Sequence, residues 1–176
     1  RGKQAPKLVV EDWLNGEVTQ FQTAGKIMLI DFWATWCGPC KKLIPELNYW
    51  QKKYADSLVV VGISDEPKAK VEQFMQSTVM NYAVAVDPSQ KMFAQIGVQG
   101  LPHVLIVTPD GIVRWQGYPL LAEHQLTESV LSQIIDEWKK GSNGVMESRF
   151  DGKPLRSEEF LPARITSNQF CQQLTS

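Results

Sequence analysis

The chain has no apolar run near the roughly 18 residues of a membrane-crossing helix. Its 176 residues include only two histidines and three cysteines. The first absence excludes a spanning helix from this sequence; the second leaves few ligands for a transition-metal centre. Charge of one sign is lacking too. Eighteen Lys plus Arg stand against nineteen Asp plus Glu, a formal net charge of −1, so nothing draws the chain to nucleic acid or an anionic membrane surface. No arginine occurs between Arg1 and Arg114, and there is no internal repeat or low-complexity tract. What is present is a balance of 43% hydrophobic, 21% charged and 10% aromatic residues, that of an ordered domain large enough to bury a core without disulfide staples. The chain opens on Arg1 without Met and with no apolar signal segment, the expected look of a processed or trimmed chain.

Residues 27–33 (IMLIDFW) read as a buried strand interrupted by one carboxylate, Asp31. Leu43, Leu47, Trp50 and Tyr54 then recur at helical spacing, predicting a helix over about 38–54 that Pro45 should kink. Residues 58–63 predict a second strand, and Val71, Phe74 and Met75 a short amphipathic helix. A short strand over 83–86 and a short helix through Met92, Phe93 and Ile96 follow. Pro109-Asp110-Gly111 supplies a turn between 104–107 and 112–115, a β-hairpin. Leu126, Val130, Ile134 and Trp138 mark a last helix that should stop near Lys139-Lys140-Gly141. Alternating strands and helices give a three-layer α/β domain around a central mixed sheet. Its expected span is 1–141, with 142–176 as a C-terminal extension that could pack on it.

The sharpest local feature is Trp36-Cys37-Gly38-Pro39-Cys40 at the junction of the first strand and its helix. Free amides at a helix start stabilise a thiolate, and a second cysteine three positions on can resolve a mixed disulfide. Cys37 is expected to attack and Cys40 to resolve. Gly38 permits close backbone approach, Pro39 suits a first helical turn, and Trp36 can cover one side of the sulfurs and meet a client. Two other chemistries share the spacing. A zinc site would need ligands from Cys171, His103 and His124, with no second paired motif, and a purely structural disulfide would leave the helix start unused. Asp31, six residues before Cys37, is a candidate proton carrier for Cys40 if buried, and an ordinary solvated strand residue if not. Glu66 is a second candidate acid, or a solvated residue at a helix start. Trp33 and Trp50 are expected to be packing groups.

The run Asp31-Phe32-Trp33-Ala34-Thr35-Trp36-Cys37-Gly38-Pro39-Cys40-Lys41, with Pro45 beyond it, resembles thioredoxin. Gly2-Lys3-Gln4-Ala5-Pro6 and the late Pro109-Asp110-Gly111 turn resemble the exported thioredoxin-like proteins of the TlpA and ResA group. The resemblance covers about residues 2–140. It implies a thioredoxin-like fold with an N-terminal hairpin extension and an inserted helix after the second core strand. It also implies a cis Leu101-Pro102 bond facing the cysteines, with the Leu101 backbone pairing to an extended client. Asp31 matches thioredoxin's buried carboxylate, and Glu66 falls where exported relatives place a glutamate. His103 stands where thioredoxin commonly has threonine; protonated, it would favour the Cys37 thiolate.

Gly-Pro between the cysteines resembles reducing family members. The expected activity is therefore protein-disulfide reduction through a Cys37/Cys40 dithiol cycle, with no cofactor or metal. The expected partners are a client protein disulfide and an upstream redox protein, not nucleic acid. The chain is expected to be a monomer, periplasmic or otherwise extracytoplasmic, with any membrane tether outside the supplied sequence. The rival readings are a thioredoxin-fold peroxidase, which Thr35 would serve but which lacks a nearby arginine, and a non-enzymatic protein-binding module. Cys171 is expected to stand outside the mechanism.

Overall fold

The computed structural model describes residues 2–18 and 25–142. Its elements are β1 (Asp12–Asn15), β2 (Ile27–Trp33), α1 (Gly38–Lys53), β3 (Leu58–Ser64), α2 (Lys68–Met75), β4 (Ala83–Val86), α3 (Lys91–Ile96), β5 (His103–Val107), β6 (Val113–Gly117) and α4 (Glu128–Ser142). The six strands form one sheet in the order β1-β4-β3-β2-β5-β6. β2, β3 and β4 run parallel, and β1, β5 and β6 pair antiparallel with their neighbours.

β2 is central and buried along its whole length, which is why its sequence is a nearly continuous apolar run. Successive side chains of a strand point to opposite faces. Phe32 packs edge-on against Phe93 of α3 at 4.9 Å between ring centroids, and Trp33 against Phe74 of α2 at 5.3 Å. The two helices therefore lie on opposite sides of the sheet, and the molecule is a three-layer α/β structure.

The α1 core stripe is Leu43, Ile44, Leu47 and Trp50. The helix runs on through Pro45. Pro45 and Lys41 are both exposed, so water can serve the Lys41 carbonyl that the ring leaves without a donor. Asn48 ties α1 to the segment after α2, its amide donating to the Val79 carbonyl (2.8 Å) and its oxygen accepting from the Asn81 N–H (2.6 Å).

Two local expectations shift. Leu126 is buried but lies ahead of α4, because the Thr127 hydroxyl accepts from the Val130 N–H and caps the helix there. The core residues of α4 are Leu131, Ile134 and Ile135. In the hairpin, the Thr108 N–H donates to the Ile112 carbonyl (3.0 Å), which places Ile112 in the turn, and β6 begins at Val113. At the N-terminus the described residues contain β1, and the rest of the expected hairpin, residues 19–24, lies outside the described residues. β1 is taken up by the open edge of β4, with the Asn15 amide bonded to the carbonyls of Met80 and Tyr82, while Gln4 bridges to Ile112 at the other edge. The expected extension 142–176, with Cys171, lies outside the described residues apart from Ser142 at the end of α4.

Candidate redox site

Cys37 is the N-cap of α1, directly after the central strand. Its sulfur accepts from the Cys40 N–H at 3.4 Å, and its carbonyl accepts from the Lys41 N–H at 3.1 Å. Pro39 falls in the first turn, where its missing donor costs nothing. The two sulfurs are joined as a disulfide. Both cysteines are fully buried in this oxidised form, whereas Trp36 is 47% exposed and Thr35, Gly38 and His103 are half-buried. The Leu101–Pro102 peptide bond is cis, and both residues are buried just before β5.

Asp31 is fully buried, which removes the solvated alternative. Its register partners are Gly62 on β3 and Val104 on β5, neither of which offers a side-chain donor. Among the described residues neither carboxylate oxygen has a hydrogen-bond partner. Desolvation pushes this carboxyl up to about 8, so it holds a proton at neutral pH and can exchange it near there.

Glu66 is placed for a different role from the proton carrier considered beside Asp31. Its carboxylate accepts from the Thr35 N–H (2.7 Å), the Thr35 hydroxyl (2.7 Å) and the Ser64 hydroxyl (3.0 Å), and pairs with Lys70 at 2.8 Å. Burial acts to raise its pKa, but Lys70 and the Thr35 and Ser64 donors outweigh it and hold the group below the ordinary glutamate range. Glu66 is thus an anchored anion that pins the loop two residues ahead of Cys37. His103 also departs from its expectation. Desolvation of this half-buried ring lowers its imidazole to about 4, which disfavours the protonated, thiolate-stabilising form near neutrality. The ring stands 3.2 Å from Gln116 Nε2 and packs edge-on against Phe32 at 6.1 Å.

Thr35 is therefore a loop anchor, and Arg114 is held in the hairpin turn by Asp110 and Thr108, so neither forms a peroxidase-like Thr/Arg pair. An open depression of about 540 Å³ adjoins the loop, lined by Thr35, Lys70, Gln73, Phe74, Gln76 and Ser77. Among the described residues no group of three or more His, Cys, Asp or Glu side chains could hold a metal ion. No described helix is long and apolar enough to cross a membrane. The close approach of Trp33 and Tyr82 over Gly62 of β3 was not foreseen from the sequence. A glycine inside an apolar strand was the available signal, since such glycines mark close approach of other groups.

Residues 1–116 match the AhpC/TSA family. The thiol-disulfide oxidoreductase ResA of Bacillus thuringiensis (strain Al Hakam) is 33% identical over 114 residues, 64% of this chain and 66% of that protein, so the chain spans just under two thirds of that relative's length. ResA of Bacillus subtilis (strain 168) is 31% identical over 142 residues, covering 80% of this chain and 76% of that protein. A crystal structure assigned as a thiol:disulfide interchange protein DsbE of Chlorobium tepidum matches with TM-score 0.63 and 27% identity, over 77% of this chain and 95% of that one. A thiol-disulfide isomerase of Corynebacterium glutamicum, 18% identical, shares the fold with TM-score 0.63 over 76% and 96% of the two chains. The chain thus belongs to the AhpC/TSA family, within its thioredoxin-like group whose named relatives are thiol-disulfide oxidoreductases.

Proposed function

We propose that the chain is a thiol-disulfide oxidoreductase working as a reductant of protein disulfides. The observation that carries this reading is the Cys37–Cys40 disulfide at the N-terminus of α1, at the end of the strand that buries Asp31. In the reduced protein the Cys37 thiolate attacks one client sulfur, breaking the client S–S bond and releasing a client thiolate that takes a proton from water. Asp31 first releases its own proton to solvent, and the carboxylate so formed takes the thiol proton of Cys40 through water. The Cys40 sulfur then attacks Cys37 Sγ, expels the second client thiolate and closes the Cys37–Cys40 disulfide. Two electrons pass to the client, and an upstream redox protein returns them.

The cis Leu101–Pro102 bond supports a docking mode in which an extended client segment pairs with the Leu101 backbone. Trp36 and the depression beside Thr35 offer further client contact. Glu66 and His103 serve as structural supports of this site rather than proton carriers. Residues 1–141 are taken as the working unit, acting as a monomer, with 142–176 as its extension. The setting is extracytoplasmic by resemblance to exported family members, with any tether beyond this sequence, and the Gly38-Pro39 pair favours the reducing direction by the same resemblance.

The test is reduction of a protein disulfide under a thiol donor. Wild type should turn over, Cys37→Ser should be inactive, and Cys40→Ser should stall as a mixed disulfide. Oxidase activity without reductase activity, or a Cys37→Ser variant that reduces clients normally, would overturn the reading.

A further inference from the structure

Four unpartnered polar atoms are buried on one face of the sheet. They are the two Asp31 carboxylate oxygens, Trp33 Nε1 and the Tyr82 hydroxyl, and among the described residues none has a hydrogen-bond partner. Their placement follows from register. Asp31 and Trp33 are two apart on β2 and so share a face; Gly62 lies opposite Asp31, and Val84 opposite Gly62, which puts Tyr82, two residues before Val84, at the same face. Gly62 has no side chain to keep the rings apart. A Cβ there would stand 3.1 Å from Trp33 Nε1 and 3.2 Å from Tyr82 Cε2, so the indole and the phenol close directly over the strand beside Asp31. Tyr82 is 3% exposed and Trp33 fully buried, so neither donor is served by bulk water.

Such an arrangement costs stability while Asp31 is protonated, since two donors go unused. It matters when Asp31 ionises. We propose that Tyr82 and Trp33, admitted by Gly62, are the donors that hold the Asp31 carboxylate in its charged state, which makes Tyr82 a positioning residue for the proton step. This rests on Asp31 as the proton carrier of the proposed cycle. No bond joins the phenol to the protonated carboxyl, so the donors close on Asp31 by a small shift of the rings when it ionises. The Tyr82 phenol is raised well above its ordinary range, by burial first and by the Asp31 charge second, so the two groups sense one another.

The remaining titratable groups around Asp31 have other engagements. β3 and β5 present Gly62 and Val104, and α1 begins with the cysteine pair. Glu66, beyond the end of β3, is bound by Lys70, Thr35 and Ser64, and Asp87, after β4, accepts the Met92 N–H at 2.7 Å. His103 is next in sequence to the register partner Val104 and so points to the opposite face.

The experiment follows the Asp31 carboxyl by difference infrared spectroscopy in the full oxidised chain, alongside the pH dependence of mixed-disulfide resolution. Tyr82→Phe should raise the Asp31 midpoint by about one pH unit and move the resolution profile the same way. Gly62→Ala, whose Cβ makes both rings give way by a few tenths of an ångström, should shift it in the same direction. A Tyr82→Phe midpoint coincident with wild type would overturn the proposal. A variant-free measurement guards against loss of folding: the Tyr82 Cζ resonance of the wild-type protein should move with the Asp31 midpoint, and a flat resonance would also overturn it. A carboxyl shift with an unchanged resolution profile would uphold the donor pair and remove Asp31 from the catalytic cycle instead.

Discussion

Asp31 keeps its proton near neutrality because full burial strips its carboxyl of water, which penalises the charged form. That has a consequence for stability. The folded state holds this proton up to about pH 8, whereas the unfolded chain releases it near pH 4. The folded state therefore binds more protons across that window, and stability falls as pH rises through it, by up to about 1.4 kcal/mol per unit, then levels off. Urea unfolding of the oxidised protein at several pH values should show this slope, and Asp31→Asn should flatten it while leaving the variant the more stable of the two at pH 8. His103 has the opposite displacement, lowered to about 4 by burial. Its NMR titration should centre there, with no histidine step from this residue between pH 5.5 and 7.5 in the reaction profile. The motif made the cysteines and Asp31 legible in the sequence. The state of His103 was not, because an imidazole's burial depends on Phe32 and Gln116, which only the register brings to it.

At the scale of elements, the loop between β2 and α1 carries the cysteine pair and is fixed from outside by the residue beyond β3. Glu66 accepts two bonds from Thr35 and one from Ser64 and meets Lys70 of α2, so one carboxylate ties together the ends of three elements. Glu66→Ala should destabilise the protein by about 2 kcal/mol, since it leaves the Thr35 N–H without its charged acceptor. Chemical denaturation checks this, and slower client reduction should accompany it as the loop loosens. The core elements could be read from periodicity because β2, β3 and α1 each obey one period along most of their length. Their ends could not: α4 starts where the Thr127 hydroxyl caps it, and β6 starts where the Thr108–Ile112 bond releases the turn. β1 was beyond reach for a related reason, since its four residues become a strand by adding to the edge of β4 and show little pattern of their own.

For the whole molecule, the layered fold leaves a thiol pair just after the central strand, with a buried acid on that strand and an exposed tryptophan next to the pair in sequence. The class of fold and the position of the pair followed from sequence because strand, Cys-Gly-Pro-Cys and amphipathic helix are contiguous. The placement of Gly62 and Tyr82 did not, as they come from β3 and the turn before β4 and are brought to the Asp31 face only by parallel pairing. The central claim is that Cys37 attacks and Cys40 resolves. Its most direct measurement is mass-spectrometric identification of the cysteine joined to a protein-disulfide client after reaction of the reduced Cys40→Ser variant. A stable adduct on Cys37, absent from Cys37→Ser, should be found; no adduct on Cys37, or an equal yield on Cys40 in the Cys37→Ser variant, would contradict the assignment.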